Sequence, residues 1–448
     1  FRMNSRPVPL KIHFKGFSEQ SYVPRMNMMN RPAYNDIRRY APNSSTLIFV
    51  SSKKQTKLTA LELISYSTND MANASQFLKM SQEEVSLVVS QVEDQTLRHT
   101  LCFGIGIHHS SLSPSDRSIV ESLFRSSKFL VLVATSTLAW GVNFPVKLVI
   151  IKGTEYYDGN SKTWVDMQVT DLLEMTGRAG RPQYNDEGIA CVYIEKSKKD
   201  FYSKYLNQAF PVESSFHLNI DSYINAEIVS GTISNKQECI EFIGWTYFFR
   251  RLVRNPAFYQ INGSENNVIQ KYLMNLIDTT INRLVESKCV ETDESGFELR
   301  PTVIGEVASE YLIDLHTITV FASRLQNTLS FASLLRLITD CDEFRQVVIR
   351  QNEEEYLFGI SKLVPVGVQR PECDSPFAKA FLLIQAYLNR IPLPTRELLS
   401  DVKVIIEIVL RLIPAMIAVA KENNNLSNCL VLMELSQKCV QGASVESD

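Results

Sequence analysis

Several features of membrane, secreted and metal-binding proteins are missing from this sequence. Its 448 residues include 8 cysteines, and no two of them form a Cys-x-x-Cys pair. The sequence therefore indicates neither a zinc module nor a dense disulfide framework, and we expect a reducing compartment, cytoplasmic or nuclear. The most apolar stretch, Val404–Ala420, is interrupted by two charged residues and Pro414. It predicts a buried core helix, because a membrane span needs about 20 largely uninterrupted apolar residues.

Two nucleotide-binding motifs are missing as well. The sequence has neither a Gly-x-x-x-x-Gly-Lys-Ser/Thr loop nor an Asp-Glu-x-His tetrad, so it lacks the lysine that cradles phosphates and the aspartate that holds magnesium. The net charge of −3 argues against a broad basic coat but allows a local basic groove. Because the chain opens with Phe1, shows no signal-peptide pattern and ends in a polar tail, we expect it to be part of a longer protein.

Short apolar runs alternate with amphipathic segments in the first half of the chain. The runs are rich in β-branched residues and do not alternate with polar ones, which is typical of parallel strands buried on both faces. We therefore predict a doubly wound α/β domain whose ligand site lies beyond the carboxyl ends of its strands. The predicted strands are Leu47–Ser51, Phe103–His108, Phe129–Thr135, Leu148–Gly153 and Ile189–Glu195, and the predicted helices are Lys57–Ser65, Gln82–Glu93 and Pro114–Arg125, the third capped by Ser113.

Helical periodicity dominates after about residue 210. Three helices followed by a β-hairpin are the order of a winged helix, and only helical patterns follow from Pro301 onward. The predicted elements are the helices Ile224–Val229, Gln237–Leu252 and Val268–Glu286, the strands Cys289–Glu291 and Phe297–Arg300, and the later helices Pro376–Arg390, capped by Ser375, and Val402–Lys421.

The strongest chemical signal is Met175–Gln183, which contains Arg178 and Arg181. Residues three apart on a helical turn project to one side, and each guanidinium is a rigid fork suited to bidentate phosphate contact. Gly177 and Gly180 have no side chain that would block a polyphosphate. Such arginines stabilise the charge that develops on a transferring γ-phosphoryl group. The alternative is a pair of surface arginines in a glycine-containing turn.

A loop rich in hydroxyl groups, Ala134–Asn143, follows a buried apolar run. Thr135 and Ser136 can donate hydrogen bonds to nucleic-acid phosphates without reading the base sequence. Gly141 and Asn143 can approach a nucleotide from the same loop. The alternative is a strand-to-helix turn in which Thr135 is a simple cap.

Four segments together carry a resemblance to a known family. They are Leu47–Lys53, Gly106–Leu112, Ala134–Asn143 and Thr176–Gln183. In residue type and order they resemble motifs IV, IVa, V and VI in the second RecA-like domain of superfamily 2 DExH-box helicases of the superkiller-like class. Within that class, Val149–Gly159, Lys198–Tyr202 and Pro211–Ser214 are similar to the twin-cassette helicases, which include a spliceosomal member.

The resemblance implies an ATP-dependent 3′-to-5′ helicase of RNA or DNA, with a role in ribosome quality control or alkylation repair. ATP and Mg²⁺ would be held mainly by an upstream RecA-like domain, and the implied partners are single-stranded or duplex nucleic acid, complex subunits or the ribosome, with no membrane. Arg178 and Arg181 would be the catalytic arginine fingers. The residues implied to line ATP are Gly141, Asn143, Glu174 and Gly177, and those implied to contact nucleic acid in motifs IV to V are Ser51, Ser52, His109, Thr135 and Ser136.

The same resemblance implies a domain order. We expect an N-terminal linker or strand (1–30), a RecA-like α/β domain with a parallel sheet (31–212), an α+β winged helix (213–300), an all-α helical bundle with a ratchet helix (301–426) and the start of a further helical region (427–448).

Glu174 departs from the family pattern, which usually has glutamine four residues before Arg178. An anion beside the γ-phosphate is unfavourable unless a metal or an arginine offsets it. The adjacent His108 and His109 raise the alternative of a metal site. Neighbours on a strand point to opposite faces, however, and no second pair of ligands lies nearby in the sequence.

A β-hairpin is predicted over Thr154–Met167, because Asp158-Gly-Asn160 is a strong turn signal. In similar helicases a hairpin at this place parts the duplex, and Tyr157 and Trp164 could stack on the terminal base pair. The alternative is a hairpin whose aromatic residues only pack.

One polar stripe marks the otherwise apolar helix Val402–Lys421. Lys403, Glu407 and Arg411 follow each other at a spacing of four residues and so share one face. Similar helicases place a ratchet helix across the exiting strand, which makes Arg411 the expected nucleic-acid contact. A solvated face of a core helix is the alternative.

Three functions remain open at this point. The first is an ATP-driven motor, which both arginines and the hairpin favour. The second is a catalytically weak scaffold cassette that binds partner proteins and modulates a neighbouring active cassette, and Glu174 lends it weight. The third is a winged-helix binding module without a motor, which the helicase motifs oppose.

Overall fold

The chain folds into two compact units, Phe1–Phe210 and Pro211–Asp448. The computed structural model describes residues 6–70, 76–136, 144, 146–158, 161–180, 182, 186–207, 212–261, 266–350 and 353–442. No helix within these ranges is both long and apolar enough to cross a membrane.

A parallel sheet forms the centre of the first unit. In chain order the elements are β1 (Leu10–Phe17), α1 (Tyr22–Met28), α2 (Asn30–Tyr40), β2 (Thr46–Val50), α3 (Lys53–Asn69), α4 (Gln82–Gln91), α5 (Gln95–Leu101), β3 (Ile105–His108), α6 (Pro114–Arg125), β4 (Val131–Thr135), β5 (Leu148–Lys152), β6 (Glu155–Asp158), β7 (Thr163–Asp166), α7 (Val169–Gly177), β8 (Gly188–Glu195) and α8 (Lys199–Asn207). Six described strands lie in the order β1-β8-β5-β2-β4-β3, and each neighbouring pair is parallel. This is the predicted RecA-like α/β architecture.

All five predicted strands are present, because their apolar runs are buried on both faces as expected. Every residue of β2, β3 and β5 is buried. The predicted cap of α6 is also confirmed, since the Ser113 hydroxyl accepts the backbone N–H of Asp116 at 3.1 Å. The segment expected as a linker or strand contains β1, an edge strand that pairs with β8 and is only partly buried.

The second unit contains a winged helix and a helical bundle around one hydrophobic core. Its elements are α9 (Ile220–Val229), α10 (Lys236–Trp245), α11 (Tyr247–Arg254), α12 (Asn266–Glu286), β9 (Val290–Thr292), β10 (Leu299–Pro301), α13 (Val303–Glu310), α14 (Leu315–Arg324), α15 (Phe331–Thr339), α16 (Glu354–Ser361), α17 (Pro376–Leu388), α18 (Arg396–Glu422) and α19 (Leu426–Gln441). β9 and β10 are antiparallel, as in a wing. The core runs from Ile220 on α9 to Cys439 on α19, so the last helix packs within the same cluster as the bundle.

Two local predictions in this unit are wrong. The predicted helix Gln237–Leu252 is two helices, because Thr246 is extended, with φ −75° and ψ 157°, and its side chain caps α11. Ser375 makes no side-chain cap on α17. That helix has Pro376 at its first position, where the missing N–H of proline needs no partner.

Candidate nucleotide and nucleic-acid sites

Hydroxyl groups lie at the carboxyl ends of two adjacent strands of the first unit. Ser51 follows β2, Thr135 ends β4, and Ser136 comes directly after it. Because neighbouring strands are about 4.8 Å apart, these predicted nucleic-acid contacts share one edge of the sheet. Ser52 also has a structural role, since its hydroxyl caps α3 by accepting a backbone N–H at 3.3 Å. Direct contact of these residues with nucleic acid stays a prediction.

The histidine pair lies at the end of β3 on the same edge. The Nε2 of His108 is 2.9 Å from a carboxylate oxygen of Glu121, and burial lowers the pKa of His108. His109 is only 4% exposed, so its predicted contact with a strand would require the ring to be uncovered. In the part of the chain that the structure describes, no three His, Cys, Asp or Glu side chains are grouped to hold a metal ion.

Arg178 lies at the opposite edge of the sheet from these residues. It follows the last residue of α7, and the N–H of Gly180 donates to the carbonyl of Val146, just before β5, at 2.8 Å. The arginine turn therefore lies beside the amino ends of β5 and β8. The expected ligand site lies beyond the carboxyl ends of the strands, whereas this motif lies at their amino edge, because α7 runs back across the sheet before β8 begins.

The described part of the expected helical turn through both arginines is not helical beyond Gly177. α7 ends there, and Gly180 has a left-handed φ of 77°. Arg181, Gly141 and Asn143 lie outside the described residues, and their roles stay predictions.

The two glycines of the motif have different surroundings. A Cβ added to Gly177 would meet no atom of the described residues within 4 Å, apart from its chain neighbours, so a side chain at position 177 would meet open space. A Cβ on Gly180 would lie 2.8 Å from the backbone of Gly188 at the start of β8. The conformation of Gly180 and its close packing therefore require glycine at this position, while a role in the approach of a polyphosphate stays a prediction.

Glu174 forms an ion pair with Arg178 one helical turn away. An Nη atom of Arg178 lies 3.2 Å from the Glu174 carboxylate, and the two side chains are 20% and 29% exposed. Partly exposed pairs of this kind contribute about 0–1 kcal/mol. A more highly charged phosphate could therefore displace the carboxylate from this guanidinium.

Arg6 supports the arginine turn, and the sequence analysis did not predict this contact. Its Nη2 atom donates to the carbonyl oxygens of Gly177 at 2.8 Å and Ala179 at 2.6 Å. These are carbonyl groups at the end of a helix, where a cation is favourable. No local signal could have revealed the contact, because it joins residues 171 positions apart.

The predicted hairpin is present as the antiparallel pair β6 and β7. Tyr157 and Trp164 face each other across it, with ring centroids 5.8 Å apart in an edge-on arrangement. The Trp164 side chain is 42% exposed. The hairpin follows β5, so it projects from the same sheet edge as Ser51.

Lys198 holds the two strands of this hairpin together. Its Nζ atom is 2.5 Å from Glu155 on β6 and 2.6 Å from Asp166 on β7. Burial alone would lower the pKa of Lys198, but the hydrogen bonds to both carboxylates raise it above its usual value. Tyr202 adds a hydrogen bond from its hydroxyl to the carbonyl of Met167 at 2.7 Å. The segment Lys198–Tyr202, singled out by resemblance, thus anchors the hairpin base.

The start of the winged helix is fixed by the carboxylate of Glu213. Glu213 accepts two hydrogen bonds from Arg251, at 3.0 and 2.6 Å, and one from Asn255 at 2.8 Å. The hydrogen bonds from Arg251 are the main cause of a Glu213 pKa lowered to about 2. This bidentate contact joins Arg251 on α11 to the segment that precedes α9.

The polar stripe lies on α18 as predicted. Lys403 and Glu407 are exposed, and Arg411 is half-buried with an Nη1 atom 3.2 Å from the carbonyl oxygen of Leu312. Near the start of the helix, Asp401 pairs with the fully buried Lys379 at 2.7 Å. That contact fixes the start of α18 to the bundle, and Lys403 and Glu407 of the polar stripe are exposed. A nucleic-acid role for Arg411 stays a prediction.

Three family models match successive parts of the chain. Residues 69–183 match the helicase conserved C-terminal domain, residues 213–294 a winged helix-turn-helix domain, and residues 301–446 the Sec63 Brl domain. The chain matches a helicase cassette of the superkiller-like DExH-box class. The first match lies in the first unit and the other two lie in the second unit, where they correspond to the winged helix and the helical bundle.

Relatives from distant eukaryotes match the cassette along almost its whole length. The DExH-box ATP-dependent RNA helicase DExH14 of Arabidopsis thaliana is 43% identical over 448 residues, 100% of this chain and 21% of its own. The activating signal cointegrator 1 complex subunit 3 is 43% identical in Homo sapiens over 442 residues, and 42% in Dictyostelium discoideum, each time covering 99% of this chain and 20% of the relative. The chain thus spans about a fifth of the length of these curated relatives.

Proposed function

We propose that this chain works as part of an ATP-dependent 3′-to-5′ nucleic-acid helicase and supplies its arginine fingers, strand-separating hairpin and ratchet bundle. The observation that carries the proposal is the arginine turn, where the partly exposed Arg178 directly follows Gly177, the last residue of α7. A guanidinium at such a turn is suited to an anionic phosphate.

The described residues fit one side of an ATP site. Arg178 supplies positive charge, while the sequence contains no phosphate-cradling lysine loop and no Asp-Glu-x-His tetrad. We therefore propose that an upstream RecA-like domain holds ATP and Mg²⁺, and that Arg178 and Arg181 reach the γ-phosphate when the two domains close. Their charge would stabilise the transition state rather than bind ATP in its ground state.

The opposite sheet edge would meet the strand. Ser51, Thr135 and Ser136 lie there, where hydroxyl groups can donate to phosphates without base specificity. Trp164 projects from the same edge and would stack on the last base pair. In the second unit, the outward stripe that ends at Arg411 would contact the released strand.

Arginine substitutions test the motor in a protein that carries this chain together with its upstream domain. Arg178→Ala and Arg181→Ala should each lower nucleic-acid-stimulated ATP hydrolysis by about 10³–10⁵-fold. ATP binding should stay nearly unchanged. Arg250→Ala, at an exposed position on α11, is the control and should leave turnover unaffected. Equal losses of ATP binding and turnover would show that the arginines only anchor the nucleotide.

The Glu174–Arg178 ion pair favours a second function. If the carboxylate holds Arg178 away from phosphate, the cassette would hydrolyse ATP weakly and act as a scaffold that modulates a neighbouring active cassette. Glu174→Gln should then raise ATP hydrolysis strongly. An active wild-type cassette whose turnover is unchanged by Glu174→Gln would exclude this function. The isolated chain should show no ATP hydrolysis under either proposal.

The names of the relatives suggest the setting. One is an RNA helicase and others are subunits of the activating signal cointegrator 1 complex. We propose RNA as the first substrate to test, DNA as the second, and complex subunits or the ribosome as partners in the cytoplasm or nucleus. Roles in ribosome quality control or alkylation repair belong to the same proposal.

A further inference from the structure

The hairpin of β6 and β7 needs support from outside its two strands. A two-stranded hairpin is marginally stable by itself. Lys198 ties its strands together from one side. A hairpin that parts a duplex must also keep a fixed direction relative to the sheet. The short helix α1 contacts both the hairpin and residues at the edge of the sheet.

Tyr22, the first residue of α1, connects the hairpin to the edge of the sheet. Its ring stacks on Trp164, with centroids 3.6 Å apart and an angle of 20° between the planes. Its hydroxyl is hydrogen-bonded to the hydroxyl of Ser51, directly after β2. One side chain therefore contacts both the exposed aromatic residue of the hairpin and a hydroxyl of the predicted strand-binding edge.

Arg25 makes a second connection one turn later. Its side chain is 3% exposed and forms an ion pair with Glu155, the first residue of β6. It also lies 3.3 Å from Glu195 at the end of β8. A buried guanidinium shared by these two carboxylates fixes the base of the hairpin to the central sheet.

Met26 makes the third connection, at the residue that joins β5 to the hairpin. Gly153 has a φ of 94°, and a Cβ added to it would lie 2.8 Å from the terminal methyl carbon of Met26. The turn into the hairpin therefore lies close against α1. Tyr22, Arg25 and Met26 stand at positions i, i+3 and i+4 of α1, so they share one face of the helix, and that face lies against the hairpin and the residue that leads into it.

We propose that α1 is a brace for the strand-separating hairpin and that Tyr22 is its positioning residue. By stacking on Trp164 and binding Ser51, Tyr22 holds the tryptophan at the place where the strand meets the sheet edge. This inference rests on the proposed helicase function, and it assigns to Tyr22 the coupling of ATP hydrolysis to duplex separation rather than hydrolysis itself.

Paired measurements of unwinding and hydrolysis test the brace in a protein that carries this chain and its upstream domain. Tyr22→Leu should lower the rate of duplex unwinding by about 2- to 13-fold, the worth of one aromatic pair. ATP hydrolysis stimulated by single-stranded RNA should be unchanged. Tyr22→Phe keeps the ring and should restore most of the unwinding. Tyr40→Leu is the control, because Tyr40 also stacks on a ring, that of His13 at 5.3 Å, without contacting the hairpin.

Trp164→Ala separates failure of the brace from failure of the proposed function. If Trp164→Ala leaves unwinding unchanged, the strand-separating hairpin itself is refuted. If Trp164→Ala slows unwinding but Tyr22→Leu behaves like Tyr40→Leu, only the brace is refuted. A parallel loss of hydrolysis and unwinding in Tyr22→Leu would also overturn the brace, since it would indicate general damage to the unit.

Hydrogen exchange gives a readout that does not depend on activity. Tyr22→Leu should speed exchange of the amides in β6 and β7 while those of β2 and β8 stay protected. If Tyr22→Leu does not fold, Arg25→Gln replaces it, because it removes the contact from α1 and keeps the Lys198–Glu155 pair, and Lys11→Gln at the exposed Lys11–Glu187 pair is its control. Faster exchange in the hairpin for Arg25→Gln alone supports the brace, and equal exchange in both variants contradicts it.

Discussion

Gly180→Ala and Gly177→Ala should change the stability of the first unit in opposite directions. Both glycines belong to the arginine motif, and the sequence gives no reason to distinguish them. Gly180 has a φ of 77° and lies against the backbone of Gly188. Gly177 is the last residue of α7 and has free space in the direction of a side chain.

The magnitude follows from these surroundings. A left-handed conformation costs a non-glycine residue about 1–2 kcal/mol. Inserting a methyl group into a packed site costs about 1–3 kcal/mol more, and the contact of 2.8 Å here is to backbone that cannot rotate away. Gly180→Ala should therefore lower the free energy of unfolding by about 2–5 kcal/mol. Gly177→Ala should raise it by about 0.5–1 kcal/mol, because alanine favours the helix.

Urea unfolding of the whole chain, monitored by the hydrogen exchange of amides in β5 and β8, measures the change in free energy of unfolding for both variants. Gly231→Ala provides the matched control in the second unit, where the residue has a φ of 78° and no atom within 4 Å. That variant pays only for the left-handed conformation. If Gly180→Ala costs no more than Gly231→Ala, the close packing of the arginine turn on β8 is refuted.

Two pH-dependent predictions follow from buried or paired charges. Burial lowers the pKa of Lys152 to about 7. Between pH 7 and about 10 the unfolded chain therefore holds a proton that the folded chain has lost, so the free energy of unfolding rises with pH. Lys152→Met should show a smaller rise in this free energy between pH 7 and 9, and a rise equal to that of the wild type would contradict the lowered pKa. The hydrogen bonds from Arg251 lower the pKa of Glu213 to about 2. The contribution of Glu213 to the free energy of unfolding is therefore present above about pH 4.3 and is lost as the pH falls toward 2. In urea titrations Glu213→Gln should lose less of this free energy on acidification, whereas an unchanged dependence of the free energy on pH would refute the role of the pair.

Much of the fold could be predicted from local patterns. β2, β4 and β5 are continuous apolar runs, and burial on both faces makes such runs easy to recognise. β1 is different, because an edge strand is half-solvated and its sequence alternates charged with apolar residues. The break between α10 and α11 was missed because Thr246 is compatible with a helix by composition, and only its extended backbone reveals the cap.

The site residues divide in the same way. Residue types identified the hydroxyl groups and arginines, but not the contacts between distant parts of the chain. Arg6 binds the arginine turn from 171 residues away, and Lys198 reaches both strands of the hairpin. These partners are brought together by the pairing of β1 with β8 and by the start of α8. Such contacts depend on tertiary topology, and a single sequence does not reveal it.

The separation of the two candidate sites could have been derived from topology. In a parallel sheet, residues that follow a strand lie at the carboxyl edge, whereas residues that follow the intervening helix lie at the amino edge. Ser51 and Trp164 belong to the first group, and Arg178, which follows α7 and precedes β8, belongs to the second. Between these edges, β2, β4 and β5 are almost fully buried and closely packed, so the sheet deforms little. Under the proposed function, we therefore expect the closure of the two RecA-like domains to move this unit as a rigid body and to carry the hairpin with it.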